Sequence, residues 1–489
     1  MGAATPEQVD APAASPAPGV ARAGEVRRPG LVLAVACAAQ FICVLDTSIV
    51  NVALPPMQES LGLSATGLQW VVSSYTLTFA GFLLLGGRVG DLWGRRRAFL
   101  AGLAIFSVAS LAGGLAQEGW QLVAARFVQG VGGAVLVPTT LSLVTTGFPD
   151  PRAKARALGL LTAAAAAGGG LGGVIGGVLT GLLSWRWVLF VNVPLGALLV
   201  VAAAGALAGR PPGHTRGRLD LPGSVSVTAG TALLVAAVIL GEERGWLSGP
   251  ALACLGGAVA ALAAFVVVER RVPQPVVPLS VLRVRPVSVA NGLAALTGGV
   301  LPAMMFFLVL YLQQVRDLDP LTAGLALAPS AVGIALGAQL APRLLDPLGP
   351  RGVFLLGTLL SAAALVWLSA IDVEGSYPRD VLVPLVLAMT GFGIAGLPLT
   401  VTATSGLGSD RAGLASGLLT TAKQVGSAVG LAALVALATA RTASAGDPGE
   451  AALTGGFAAG LLGGTVLLLA ACLLGLALPG RRRGRHQPG

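Results

Sequence analysis

Fourteen apolar runs, each near the ~20 residues a helix needs to cross a bilayer, succeed one another between residues 31 and 478. Among them are 31–54, 67–87, 321–342 and 352–371. The expected fold is therefore an all-α integral membrane protein. Charge usage agrees with this. Only 11% of the residues are charged, whereas a soluble domain carries about 25%. Lipid must replace water over most of the surface, which excludes a soluble multidomain enzyme and a disordered chain. Residues 1–30, rich in Ala and Pro, read as a disordered tail, and 479–489 as a basic one.

The net charge of +10 suggests nucleic acid in a soluble chain, but here the arginines sort by side. Counted loop by loop, 24 of the 31 basic residues fall on the side of the N-terminus and 5 on the other. Short basic loops stay cytoplasmic, so both termini are expected inside, in the cell membrane, with no nucleic-acid partner. Within the runs only Asp46, Arg126 and Lys423 carry charge. The four cysteines lie in apolar runs without a C-x-x-C pair, and the two histidines lie among polar, arginine-rich residues. No metal site is expected. No G-x-x-x-x-G-K-[ST] phosphate loop exists for ATP-driven pumping, and no catalytic constellation points to an enzyme.

An internal repeat fixes the organisation. Gly87-Arg88-Val-Gly-Asp91-Leu-Trp-Gly94-Arg95-Arg96-Arg97 recurs as Pro342-Arg343-Leu-Leu-Asp346-Pro-Leu-Gly349-Pro-Arg351, offset by 255. Gly159-Leu-Leu-Thr-Ala, followed by Gly168 and Gly172, recurs as Gly417-Leu-Leu-Thr-Thr with Gly426 and Gly430, offset by 258. The chain is thus expected to hold two parallel six-helix bundles, 31–208 and 287–478, with two inserted helices in 209–286. Paired bundles around a midplane site are the plan of secondary transporters.

The Gly87–Arg97 segment resembles the signature of the major facilitator superfamily. Leu45-Asp46-Thr-Ser-Ile-Val-Asn51-Val-Ala-Leu-Pro55, Gln69-Trp70-Val-Val-Ser-Ser-Tyr75 and Ser184-Trp185-Arg186-Trp187-Val-Leu-Phe190-Val-Asn192-Val-Pro194 are similar to motifs of its fourteen-span drug/proton antiporters. So is Leu122-x-x-x-Arg126-x-x-Gln129-Gly130-x-Gly132-Gly133. The resemblance covers about residues 31–478. It implies export of amphipathic drugs or antibiotics in exchange for protons, with no cofactor beyond the proton gradient and a monomer as the working unit. The chain departs from the family at Gly172-Gly173-Val-Ile-Gly176-Gly177, where a glycine replaces the usual proline. This keeps open an alternative, a superfamily importer or exchanger of a small metabolite.

Asp46 and Arg126 fall at nearly the same depth when each helix is counted at 1.5 Å per residue. They are therefore expected to pair or to share a cavity, with Asp46 exchanging the proton. Asn51, Gln129, Lys423 and Gln424 complete the expected coupling and substrate set. Gly87, Arg88, Asp91, Gly94, Arg95, Arg96, Asp346 and Arg351 form an expected gating loop. Gly168, Gly172, Gly173, Gly176 and Gly177 form a ridge that lets a neighbouring backbone approach closely. Trp185 and Trp187 are expected at the outer interface.

Overall fold

The computed structural model describes residues 29–148, 150–206, 220–272, 275, 277, 280–405, 412–445 and 449–479. The expected tails lie almost wholly outside them. Among the described residues there are helices and no strands. The helices are α1 (Pro29–Leu61), α2 (Ala65–Trp93), α3 (Arg95–Gly114), α4 (Gly119–Gly147), α5 (Pro151–Leu182), α6 (Trp187–Phe190), α7 (Asn192–Ala206), α8 (Leu221–Arg244) and α9 (Gly249–Arg271). There follow α10 (Arg285–Gly298), α11 (Val300–Leu310), α12 (Pro320–Leu327), α13 (Pro329–Leu368), α14 (Val383–Ser405), α15 (Ala412–Ala443) and α16 (Glu450–Gly475). Their starts follow local chemistry. Ser64, Asp150, Asp220 and Asp319 each accept a backbone N–H of the following turn, and proline occupies the first turn after the last three.

Among the described residues, twelve helical stretches are long and apolar enough to cross a membrane. One of them, Pro320–Leu368, contains two of the runs read from the sequence. It doubles back at Gly349, whose φ of 68° and ψ of 171° leave the helical region. Gly333 and Gly337, before the break, press on the α14 backbone at Val386 and Thr390; Gly357 and Ser361, after it, meet the same helix at Gly391 and Ala388. The 29-residue α2 lies outside the twelve.

The sequence repeat is a repeat in space. Gly94, the counterpart of Gly349, has a φ of 86°, a conformation open to glycine and strained for other residues. Around it the expected loop shrinks to a single residue, since α2 stays helical to Trp93 and α3 resumes at Arg95. The second repeat holds equally. A β-carbon on Gly168 would lie 2.6 Å from the Phe41 carbonyl oxygen of α1. Its counterpart Gly426 presses on the Ala295 carbonyl of α10, and Gly430 on Gly299. In both groups of helices, α1–α7 and α10–α16, the fifth long segment thus packs on the first through glycine.

The two groups meet at one end. With the end where α1 begins called proximal, their contacts gather from mid-depth to the distal end. There α5 lies on α12, α2 on α15, and Gln313 and Gln314 reach across to the Val52 carbonyl (2.9 Å) and Gln58 (2.9 Å). These glutamines project from a π-helical turn, Tyr311–Val315. One apolar cluster runs through both groups distally, joining Ile49, Leu54 and Trp185 to Phe307, Leu365 and Leu431. Proximally the apolar core divides. One cluster holds Val35, Phe99 and Leu103, another Leu293, Phe354 and Ala471. The inserted pair α8–α9 leans on both groups, with Val235 and Ile239 of α8 packed between Leu77 of α2 and Ala432 of α15.

Candidate functional site

Asp46 projects from mid-α1 into the first group and is fully buried, and Arg126 on α4 is 2% exposed. Arg126 Nη1 donates to Asp46 Oδ2 at 2.5 Å and to Gln129 Oε1 at 2.7 Å, while Nε donates to the Val71 carbonyl at 3.3 Å. The three-residue spacing of Arg126 and Gln129 puts both on one helix face. Gln129 Nε2 then donates to Asp46 Oδ1 and to Ser110 Oγ, both at 2.7 Å. Asn192, at the start of α7, donates to the same Asp46 Oδ1 at 2.7 Å. The Tyr75 ring lies beneath the guanidinium, 4.4 Å from centroid to Cζ. Five helices therefore converge on one carboxylate.

Both carboxylate oxygens carry N–H donors, the arrangement that suits the ionised form. Loss of either member of the Asp46–Arg126 pair leaves a buried charge uncompensated, a change that costs about 3–5 kcal/mol. The network ties the Asp46 carboxylate to the placement of α4 and α7, so a movement of those helices changes its surroundings, which is what a coupling group requires.

The structure brings Asp46, Arg126 and Gln129 together as expected and leaves out Asn51. Asn51 lies five residues further along α1, more than a helical turn away, and is half-buried. Asn192, Ser110 and Tyr75 are the additions. The sequence signal for Asn192 was a lone amide in an apolar run, but only packing sets it beside a residue 146 positions away. Lys423 and Gln424 lie elsewhere, on α15 of the second group.

The expected gating residues serve as tethers. Arg88 donates to the Pro275 carbonyl (3.0 Å), Arg95 to Thr146 Oγ1 (2.7 Å) and Arg96 to the Ala204 carbonyl (3.3 Å). The Asp91 side chain lies outside the described residues. Asp346 is exposed and Arg351 half-buried. The glycine ridge of α5 divides by face. Gly168, Gly172 and Gly176 pack on α1, at Phe41, Ser48 and Ile49. Gly173 and Gly177 turn to the second group, where a β-carbon on Gly177 would stand 2.6 Å from the Pro320 carbonyl oxygen. One interfacial expectation fails. Trp187 is exposed, but Trp185 is 4% exposed and stacks under Arg186, whose guanidinium reaches the Ala116 carbonyl at 2.8 Å. Satisfying that guanidinium draws the indole inward.

Repeated groups of apolar helices closed at one end, with a buried ion pair at mid-depth, define a multi-pass membrane transporter of small solutes rather than an enzyme. The chain belongs to the Major Facilitator Superfamily, whose sequence pattern matches residues 36–431. It is 41% identical over 456 residues to a cephamycin export protein of Amycolatopsis lactamdurans, covering 92% of this chain and 93% of that one. It is 37% identical to a puromycin resistance protein of Streptomyces alboniger, with 84% and 82% covered. The fold is shared with the inward open xylose transporter of E. coli, with a TM-score of 0.61 at 13% identity over 93% of this chain and 97% of that one.

Proposed function

We propose that this chain exports amphipathic antibiotics or drugs from the cell in exchange for protons, by alternating access. In this reading both termini are cytoplasmic, the chain crosses the membrane fourteen times, and a monomer suffices. Residues 31–208 and 287–478 are the two moving bundles, and 209–286 carry the inserted pair. The observation that carries the reading is the sequestered Asp46 carboxylate, engaged by donors from α4 and α7 in a state closed at the distal end. Opening that end shifts α1 against α4 and α7, exposes the carboxyl to protons outside, and lets it release them inside when the network reforms. The export and resistance proteins among the relatives support the direction of transport and the kind of solute.

The test uses vesicles containing the full chain. An imposed proton gradient drives substrate accumulation in the wild type, and an uncoupler abolishes it. Asp46→Asn keeps the shape of the side chain and removes its titration, so it binds substrate without gradient-driven accumulation. Unimpaired coupling in Asp46→Asn rejects the reading.

A further inference from the structure

Lys423 is the third charge placed within a membrane-spanning run, and the network around Asp46 does not absorb it. It is the twelfth residue of α15, counted from the proximal end, and so lies below the zone where the two groups close. Its side chain is exposed, on a helix that packs against α2, α8 and α10. We read this exposed position, on the proximal side where the apolar core divides into separate clusters, as the wall of an opening between the two groups. Among the described residues Lys423 has no hydrogen-bond or ion-pair partner.

Its neighbours on the helix are polar on one side only. Ser416, Thr420, Lys423, Gln424 and Ser427 fall within an arc of about 100° at 3.6 residues per turn. One turn further along the same arc, Leu431 and Leu434 are buried in the apolar cluster shared by both groups. The opening therefore combines a polar wall bearing one ammonium with an apolar roof. Among the described residues no carboxylate balances that ammonium. Asp46, the one acid at mid-helix among the described residues, is fully buried and engaged by Arg126, Gln129 and Asn192. An unpaired ammonium in a low-dielectric opening attracts anions strongly and repels cations.

We infer that this transporter takes amphipathic anions, with Lys423 holding the carboxylate or equivalent acid group and Gln424 and Thr420 flanking it. The inference rests on the export reading and names its substrate class. It also separates the two ligands, since the proton binds in the first group and the substrate anion in the second. They do not compete for one carboxyl, and their coupling runs through the closure of the groups.

Fluorescein and rhodamine 6G, an anionic and a cationic dye with the same xanthene body, test the charge preference. Binding to the purified full chain is read by polarisation, and uptake is read in vesicles under a proton gradient. The wild type binds fluorescein and not rhodamine 6G. Lys423→Gln weakens fluorescein binding about tenfold, the weight of one charge-assisted hydrogen bond, and Lys423→Arg retains it. Equal binding of both dyes, no fluorescein binding, or fluorescein binding unchanged in Lys423→Gln overturns the proposal. Fluorescein binding that depends on Lys423 without gradient-driven uptake leaves the substrate class standing and sinks the efflux reading instead.

Discussion

At mid-depth the first group of helices carries a carboxylate, a guanidinium, two amides and a hydroxyl joined in one buried network. The offsets that map Gly168 onto Gly426 and Gly94 onto Gly349 map Asp46 onto the stretch 301–304. There Ala303 and Met304 are buried among apolar side chains and Leu301 packs against them. In the reverse direction, Lys423 maps onto Ala165 of α5. The backbone plan is repeated at Gly94 and Gly168, and the charges of the Gly87–Arg97 segment recur with it at Arg343, Asp346 and Arg351, but the mid-helix charges do not. The repeated features are those a membrane fold needs, namely turns and close helix approach. The mid-helix charges, costly in lipid, occur once each, as expected of groups kept for function.

Breaking this asymmetry at its centre should have the largest effect. Arg126→Ala strands the Asp46 carboxylate and should lower stability by about 3–5 kcal/mol, seen as a fall in Tm of the detergent-solubilised protein together with loss of coupled transport. Asp46→Asn combined with Arg126→Gln should recover most of that Tm while transport stays uncoupled. Recovery of coupling in the double variant would show the pair to be structural.

The two faces of the α5 ridge give the next contrast. Gly176→Leu overpacks against Ile49 inside one group and should destabilise by about 1–3 kcal/mol, reducing the yield of folded protein. Gly177→Leu pushes against Pro320 across the gap and should instead hold the distal end open. Spin labels at Gln58 and Gln314 should then move apart while the Tm changes little. Equal misfolding by both variants would mean that the ridge is static packing throughout.

A smaller shift is expected from Gln313→Leu, which removes the hydrogen bond to the Val52 carbonyl. One such bond contributes about 1 kcal/mol, about a fivefold change between distally closed and open populations, readable from the same spin-label distances. An unchanged distribution would show that the glutamine does not latch the closed state.

The smallest effect concerns Asp319, the cap of α12 beside this contact. The Thr322 hydroxyl, followed by backbone N–H groups of the first turn, holds its carboxyl below the ordinary value. A lowered folded-state pKa contributes stability that is present above the unfolded value and lost as pH falls through the folded one. The cap should therefore weaken only below about pH 4, where an ordinary Asp begins to protonate. Asp319→Asn should flatten that acid limb in a pH series of Tm values, and an identical limb would assign it to other carboxyls.

Much of this architecture was legible because lipid imposes simple rules. Apolar length marked the helices, whereas the starts at Asp150, Asp220 and Asp319 emerged only with the structure. Gly94 and Gly349 announced two reversals. Other features were not legible. Trp185 reads like Trp187 as an interface anchor, yet Arg186 and its carbonyl partner draw it inward. The loop expected over Gly87–Arg97 is helix on both sides of one glycine, because tethers to Pro275, Thr146 and Ala204 let the arginines stay helical. Asn51 and Asn192 are both lone amides in apolar runs, and no local property says which one meets Asp46.

The amino-acid sequence alone therefore determined the class of solvent, the repeat, and which three charges had to be accounted for. Burying charge in lipid is so costly that position alone makes such residues conspicuous. Only the tertiary structure decided that two of them meet in a buried network while the third, among the described residues, stands exposed without a partner. Pairing depends on which helices pack within hydrogen-bond reach, and that is settled by contacts between residues 80 and more positions apart.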